Sequence, residues 1–185
     1  MIRFHKSAGA ILRCVQNLTL YRRLGRRTAL GITIREASDK DMRAVHRWFN
    51  PGDNPSNTLT HDEAVTNWVA ERHGQLAGFG QLVRHPYDHF PYTGYWLFSL
   101  SVKSLLRGLG IGEMLSQAVI ERARQEGASI LDLVVNENND RAIRLYRKLG
   151  FEMHTIPELE PLLERERAST GCRRVVMRKI LANHT

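Results

Sequence analysis

The feature that most constrains this chain is a glycine turn, Arg107–Gly112, which reads R-G-L-G-I-G. It lies between an apolar run that ends at Val102 and a helical pattern of apolar residues that begins near Ile111. A strand that ends in such a turn and continues as a helix brings several backbone N–H groups together at one point. The sequence therefore predicts an anion-binding turn between a strand and a helix.

Glycine makes this turn suitable for a phosphate ligand. Gly108, Gly110 and Gly112 lack a Cβ, so their backbone can take positive φ and approach a ligand closely. The first turn of the following helix leaves about four N–H groups without intrahelical partners, at the positive end of the helix dipole. Arg107 adds a planar cation that suits a pyrophosphate. A packing turn without a ligand is the alternative interpretation, whereas the dinucleotide fingerprint is disfavoured because its G-x-G-x-x-G spacing is absent.

Charge is unevenly distributed along the chain. Its 185 residues carry 27 Lys and Arg against 19 Asp and Glu, a net charge of +8. Seven of the basic residues fall in the first 31 positions, which hold no Asp or Glu, so 20 basic residues remain against 19 acidic ones. The length and a hydrophobic content of 42% suit one domain with a substantial core. We therefore expect a basic leader, residues 1–31, and a nearly neutral domain, residues 32–185.

The basic leader places arginines between apolar residues at loosely helical spacing. Three interpretations are open. It is an accessory helix docked on the domain or on a second copy in a homodimer, a targeting or membrane-surface segment that contacts nucleic acid or anionic lipid, or an unstructured extension from an early start codon. Of these we favour the docked helix.

Several classes of protein are disfavoured by the residues that the chain lacks. Cys14 and Cys172 are too few for a disulfide framework or a cysteine-rich zinc site, and no stretch approaches the roughly 18 apolar residues of a membrane span. His85 and His89 are four positions apart, but neighbouring prolines argue against a helix that would align them on a metal. We expect a cytoplasmic protein without a metal, in which both histidines lie in a loop near a substrate groove.

The remaining patterns predict alternating strands and helices. Strands are expected at Ile32–Glu36, Val69–Glu71, Leu76–Val83, Gly94–Val102, Ile130–Val135, Phe151–Thr155 and Cys172–Ile180. Helices are expected after a capping box at Ser38, from the capping box Thr60–Glu63 toward Trp68, from Ile111 to Gly127, at Asn138–Leu149 and at Pro157–Ala168. The loops are expected at Asn50–Asn57 and His85–Tyr92.

Two motifs together resemble the paired signature of the GNAT acetyltransferase superfamily. They are Arg107-x-x-Gly110-x-Gly112 and, about thirty residues later, Asn139-x-x-Ala142-x-x-x-Tyr146-x-x-x-Gly150-Phe151. Either motif alone is weak, but both occur in the expected order and in the expected context of strand, turn and helix. The resemblance covers about Ile32 to Leu181. It implies an α/β fold of the α+β type: a mixed, mostly antiparallel sheet of about six to seven strands flanked by helices, with a splayed cofactor cleft.

The resemblance also implies acetyl-CoA as co-substrate, bound between the strand that ends at Val102 and the parallel strand Ile130–Val135. Asn139 corresponds to the residue that contacts the pantetheine arm, and Tyr146 to the general acid that assists departure of the thiolate. Outside the motif, Tyr146 would be interpreted as a core aromatic. The residues expected to bind the cofactor are Leu100, Ser101, Val102, Arg107, Gly108, Leu109, Gly110, Ile111, Gly112 and Asn139.

One family feature is missing. Many relatives carry a glutamate on the strand before the turn or on the next strand, but Tyr95–Val102 contains no carboxylate and Val134 occupies the second position. Ser99, Tyr95 and Glu137 are candidate bases that would act through water. The resemblance implies an N-acetyltransferase that acts on a primary amine of a small molecule or peptide by direct attack in a ternary complex. The alternative is a catalytically weak acyl-CoA-binding regulatory module.

Overall fold

A computed structural model describes residues 31–49, 64–85 and 91–181, and within them seven strands and four α-helices follow one another. The strands are β1 (Ile32–Glu36), β2 (Val65–Arg72), β3 (Gln75–His85), β4 (Gly94–Val102), β5 (Ile130–Asn136), β6 (Glu152–His154) and β7 (Arg174–Ile180). The helices are α1 (Asp39–Phe49), α2 (Ile111–Gln125), α3 (Asp140–Lys148) and α4 (Glu160–Thr170). The basic leader up to residue 30 and the predicted loop Asn50–Asn57 lie outside the described residues, so the proposed helical leader and the domain boundary stay predictions.

The described strands form one sheet in the order β1-β2-β3-β4-β5-β7-β6. All neighbours are antiparallel except β4 and β5, which are parallel. The turn from β2 to β3 is His73-Gly74, and both residues have positive φ, 49° and 74°, as a two-residue hairpin of type I′ requires. The mixed, mostly antiparallel sheet predicted from the sequence is confirmed.

The main core lies between the sheet and α2. Leu115, Val119 and Ala123 repeat every four residues along α2 and are fully buried, as an amphipathic helix predicts. Val119 and Ala123 share a buried cluster with Leu131 and Leu133 of β5. Leu115, nearer the start of the helix, packs in a second cluster with residues of β1, β2 and β3. This packing fixes the start of α2, and with it the glycine turn, beside the ends of β4 and β5.

The opposite face of the sheet is covered by two shorter helices. Helix α1 begins with the predicted capping box, in which the backbone N–H of Ser38 donates to Oδ2 of Asp41 at 2.8 Å. It packs on Val69 and Phe79, and α4 packs near Trp96. The two helices therefore cover different strands of the same face.

One predicted helix is wrong. The segment expected to be helical toward Trp68 is strand β2, which pairs with β1 on one side and β3 on the other. Val65, Thr66 and Trp68 are β-branched or aromatic and suit a strand, so pairing on both sides outweighs the local helix signal. The capping box Thr60–Glu63 itself lies outside the described residues.

His85 was expected in a loop, but it is the last residue of β3, paired with Gly94. The following residues, including His89, lie outside the described part of the chain. In the parts of the chain that the structure describes, no three His, Cys, Asp or Glu side chains gather as metal ligands. No described helix is long and apolar enough to span a membrane. The absence of a metal and the cytoplasmic location stay predictions.

Gly78 of β3 allows α2 to lie close to the sheet. A Cβ built there would lie 2.9 Å from Cδ1 of Leu115, 3.0 Å from Cγ2 of Ile111 and 3.1 Å from the carbonyl oxygen of Ser101. We expect Gly78→Ala to lower the free energy of unfolding by about 1–3 kcal/mol, because the helix or the strand must shift to admit the methyl group. Urea denaturation of the parent and the variant measures this loss.

Gly80→Ala on the same strand is the matched control. Its Cβ would lie 3.3 Å from Cδ1 of Leu100, which is the mobile end of a side chain, and 3.9 Å from Leu115 Cβ. We therefore expect a smaller loss than for Gly78→Ala. Equal losses in the two variants would contradict the role assigned to Gly78.

Candidate active site

The glycine turn has the backbone conformation that an anion site requires. Gly108 and Gly110 have φ of 92° and 79°, in the left-handed region that favours glycine, and Gly110 is the N-cap of α2. Because the N-cap residue is glycine, it has no side chain to bond the N–H groups of the first turn. Nε of Arg107 donates to the carbonyl oxygen of Val102 at 3.2 Å, which holds the guanidinium beside the turn. N–H donors and a cation therefore converge at the start of α2.

A cavity of about 370 Å³ opens at this turn. It is lined by Leu100, Ser101, Val102, Leu106, Arg107, Gly108, Gly110, Ile111, Gly112, Glu113, Asn139, Arg141, Ala142, Leu145 and Lys148. Nine of the ten residues expected to bind the cofactor are thus brought together. Leu109 and Tyr146 are not among the lining residues, and Leu109 packs instead on the apolar cluster that contains Ile111.

Strands β4 and β5 separate next to this cavity. They pair only over Tyr95–Leu97 and Leu131–Leu133. Beyond that point β4 carries a bulge at Ser99 and Leu100, two residues that lie opposite Gly80 alone, and Ser99 has a φ of 52°. A bulge bends its strand and interrupts the ladder. The backbone of β4 after the bulge is therefore open toward β5, and an extended ligand can lie in the gap.

Asn139 is the N-cap of α3 as well as a lining residue. Its Oδ1 accepts a hydrogen bond from the N–H of Ala142 at 3.2 Å. An N-cap side chain commonly bonds the third residue of its helix, which accounts for the spacing Asn139-x-x-Ala142 in the motif. The cap occupies the amide oxygen, and it leaves the NH₂ group of Asn139 to face the cavity or solvent.

The second half of the motif explains how α3 ends. Gly150 has a φ of 84°, and its N–H donates to the carbonyl oxygen of Arg147 at 3.0 Å. The N–H of Phe151 donates to the carbonyl oxygen of Tyr146, also at 3.0 Å. These two bonds make a Schellman motif, in which an apolar contact accompanies the glycine. Here the rings of Tyr146 and Phe151 pack edge to face with centroids 5.8 Å apart.

Tyr146 is buried in the main core, with 6% of its surface exposed. Burial raises the pKa of Tyr146 to about 12, because the phenolate would lose its hydration. The hydroxyl therefore stays protonated at neutral and mildly alkaline pH. A thiol has a pKa of about 8.5, so complete proton transfer from this hydroxyl to a thiolate is unfavourable, and the hydroxyl is better suited to donating a hydrogen bond.

Three charged residues of the cavity are not singled out by the sequence patterns. Glu113 is buried in the first turn of α2, and Nζ of Lys148 donates to its Oε2 at 2.8 Å, which ties α2 to α3 across the cavity. Nη2 of Arg141 lies 4.0 Å from the position that a Cβ on Gly108 would occupy. Arg141 follows the motif asparagine by two positions, but the motif does not show that this side of α3 faces the glycine turn.

None of the three candidate bases lines the cavity. Ser99 is exposed at the bulge. The hydroxyl of Tyr95 donates to a backbone carbonyl just after α2 at 3.3 Å, at the opposite end of β4, and Glu137 forms an ion pair with an arginine at 3.3 Å. The carboxylate among the lining residues is that of Glu113, which the lysine already holds. The structure therefore identifies no dedicated base among the described residues of the cavity.

Comparisons with known proteins agree with this geometry. The family model "Acetyltransferase (GNAT) family" matches residues 30–151, more than half of the chain. The uncharacterized N-acetyltransferase YdgE of Bacillus subtilis (strain 168) is 30% identical over 124 residues, which cover 67% of this chain and 74% of that protein. Mycothiol acetyltransferase of Frankia alni is 30% identical over 123 residues, 63% of this chain. The match spans 33% of the Frankia protein, so the chain corresponds to about a third of that relative.

A solved structure shares the fold. YncA from Salmonella typhimurium, solved with its cofactor acetyl-CoA, superposes with a TM-score of 0.65 at 22% identity, over 84% of this chain and 96% of that one. The superposition covers a larger share of this chain than the family model does, and it shows a common fold. Because the family model matches more than half of its residues, the chain belongs to the GNAT acetyltransferase family.

Proposed function

We propose that this protein is an N-acetyltransferase that transfers the acetyl group of acetyl-CoA to a primary amine of a small molecule or peptide. The observation that carries the proposal is a cavity with a cationic, N–H-rich end at Arg107–Gly112 that extends along Leu100–Val102, the part of β4 that no longer pairs with β5. A ligand with a pyrophosphate at one end and a thin polar arm at the other suits both parts. Family membership supports the same donor, since the related structure of YncA holds acetyl-CoA.

Each part of the cavity suits one part of this donor. The N–H groups of the glycine turn and the guanidinium of Arg107 would bind the pyrophosphate. The open backbone of Leu100–Val102 offers N–H and C=O groups to the pantetheine amides in the manner of an added strand. The amide NH₂ of Asn139 approaches the same arm from α3. Leu109, which packs on the core, would contribute only its backbone.

The transfer forms an amide C–N bond and breaks the thioester C–S bond, while the amine loses one proton and the sulfur gains one. We propose direct attack by the amine in a ternary complex. Tyr146 would donate a hydrogen bond to the departing sulfur, and its raised pKa of about 12 keeps that proton on the hydroxyl. Water would carry the proton from the amine, since β4 offers no carboxylate.

The alternative, a catalytically weak acyl-CoA-binding regulatory module, is favoured by two observations: the missing carboxylate and the position of Tyr146 outside the lining of the cavity. Calorimetry with acetyl-CoA and an assay of thiol release with a panel of primary amines separate the two functions. Binding with amine-dependent thiol release supports the enzyme. Binding without release for every amine supports the module, and absence of binding contradicts both.

The relatives do not identify the acceptor. The Frankia protein is named for mycothiol, but this chain shares 30% identity with it over about a third of its length. The YdgE protein is uncharacterized. We therefore propose the acceptor only as a class, a primary amine, and propose that the basic leader contributes to partner contacts, with a homodimer, nucleic acid and anionic lipid as the candidates.

Arg141→Ala is expected to weaken acetyl-CoA binding about 3- to 10-fold, because an exposed charge-assisted contact to phosphate is lost. Calorimetry at low and high salt measures the effect, which should shrink as salt rises. Arg144→Ala is the control: Arg144 lies one turn further along α3, is exposed and does not line the cavity. Equal losses in the two variants would contradict a specific role for Arg141.

Asn139→Asp is expected to keep the stability of the protein but to weaken acetyl-CoA binding. A carboxylate caps the helix as well as an amide does, so the free energy of unfolding should change by less than about 0.5 kcal/mol. The added negative charge would lie in the phosphate cavity, and we expect a loss of affinity of about 10-fold. Asn139→Ala, in contrast, should lower the free energy of unfolding by about 1 kcal/mol. Unchanged affinity in Asn139→Asp would place the side chain away from the ligand.

A further inference from the structure

We propose that the acceptor amine binds on the sheet face opposite α2, against a ring surface formed by His85, Tyr92 and Phe98, and that it carries an apolar or aromatic group. This inference rests on the proposed acetyl transfer, since it names the class of amine that receives the acetyl group. Three observations that do not depend on the proposed transfer support this binding surface: the position of Phe98, the ring contacts around it and the amide of Gln81.

Phe98 is the last residue of β4 before the bulge. Its side chain lies on the same face as that of Trp96, two residues earlier, whose ring packs with Leu159, just before α4, and with Leu163 of α4. Helix α2 packs on the other face. Phe98 therefore lies at the point where β4 leaves β5, two residues before Leu100 of the cavity. A group that reaches through the gap from the cofactor side arrives beside this ring.

Three aromatic rings surround Phe98. Its centroid lies 6.0 Å from that of His85 and 5.9 Å from those of Tyr92 and Trp96. Trp96 is fully buried and belongs to the core, whereas the other three rings are only partly buried. Partly exposed rings at the end of a strand ladder make an apolar surface, and such rings bind another ring or an aliphatic group through edge and stacking contacts.

A polar group lies directly beside this surface. Gln81 of β3 is paired with Phe98 in the sheet, and Asn67 of β2 is paired with Gln81, so the three side chains form a row on one face. Nε2 of Gln81 donates to Oδ1 of Asn67 at 2.9 Å. This bond fixes the amide and directs Oε1 of Gln81 away from Asn67, where it can accept a hydrogen bond from an amine that lies on Phe98.

Such a subsite also explains how the amine can react although β4 carries no general base. An ammonium loses hydration when it enters an apolar surface, which lowers its pKa and favours the neutral amine that attacks a thioester. Gln81 accepts a hydrogen bond from the neutral amine without taking its proton. A substrate held by its apolar group would therefore need only water to remove the proton after attack.

The test compares two acceptors that differ only in the apolar group, phenylalaninamide and alaninamide. We expect the parent protein to acetylate phenylalaninamide with a kcat/KM at least about 10-fold higher, a factor typical of one buried apolar group. Phe98→Ala should reduce that preference to below about 3-fold, and Phe98→Leu, which retains an apolar side chain and guards against misfolding, should reduce it partly. Met153→Ala is the control, because Met153 is 48% exposed on β6 and lies away from β4.

Calorimetry with acetyl-CoA accompanies each variant and should give unchanged affinity, which shows that the cofactor cavity remains folded. A preference that falls in Phe98→Ala but not in Met153→Ala supports the inference. Equal rates with both acceptors, or a preference that survives in both Phe98 variants, overturns the inference and leaves acetyl transfer in place. No thiol release with any amine overturns the proposed function and this inference with it.

Discussion

Gly110→Val is expected to raise the dissociation constant for acetyl-CoA by about 100-fold or more, a loss of about 2.7 kcal/mol. Gly110 has a φ of 79°, which a β-branched residue avoids, so the N-cap of α2 would rotate and its neighbouring N–H groups would no longer converge. The loss corresponds to one or two hydrogen bonds to a charged group. Calorimetry with the folded variant measures it.

Gly127→Val is the matched control for backbone strain. Gly127 lies beyond the opposite end of α2 with a φ of 80°, and a Cβ there would have no heavy atom within 4 Å. Both variants should therefore lower the melting temperature, but only Gly110→Val should weaken acetyl-CoA binding. Parent-like affinity in a folded Gly110→Val protein would contradict the assignment of the glycine turn.

Tyr146→Phe is expected to lower kcat about 10- to 100-fold with little change in KM, because the hydroxyl would act mainly in the transition state. Phenylalanine keeps the ring that packs edge to face on Phe151, so the end of α3 and the core should remain intact. The thiolate is a good leaving group, which places the effect at or below the lower end of general-acid contributions, about 100-fold. Steady-state kinetics with an acceptor that turns over measures it.

The pH dependence provides a further check on Tyr146. Since its pKa is raised to about 12, the hydroxyl is protonated throughout pH 7 to 9, and the ratio of the two kcat values should be constant over that range. Tyr95→Phe, which removes a hydroxyl at the far end of β4, should change kcat by less than about 3-fold. If Tyr146→Phe binds acetyl-CoA normally and matches the parent in kcat, the thiolate leaves unaided or through water.

Neighbouring residues in the sequence were sufficient to predict a structural feature wherever its physical cause is local. The left-handed Gly108 and Gly110, the cap by Asn139 and the Schellman end at Gly150 each depend on residues within five positions of one another. Such features can be predicted because glycine and capping side chains act in the same way in any fold. The order of the elements, with a parallel pair next to the glycine turn, followed from the family resemblance that these motifs carry.

Prediction from neighbouring residues failed where pairing with distant strands determines the secondary structure. A helix was predicted around Trp68 because a helix-capping signal precedes it, yet the segment is a strand because β1 and β3 pair with it on both sides. Likewise, His85 continues β3 because Gly94 of β4 pairs with it. Ladder hydrogen bonds between segments far apart in the chain outweigh propensities of a few tenths of a kcal/mol per residue.

The sequence by itself determined the glycine turn, the two ends of α3 and the family of this protein, since each of these depends on residue types at short, fixed spacings. Only the tertiary structure decided that Arg141 faces the turn and that Lys148 holds the buried Glu113 across the cavity. It also decided that Tyr146 lies in the core and that Phe98 stands where β4 leaves β5. These positions depend on which side of α3 packs against the sheet and on a bulge in β4, and both are set by packing between distant parts of the chain.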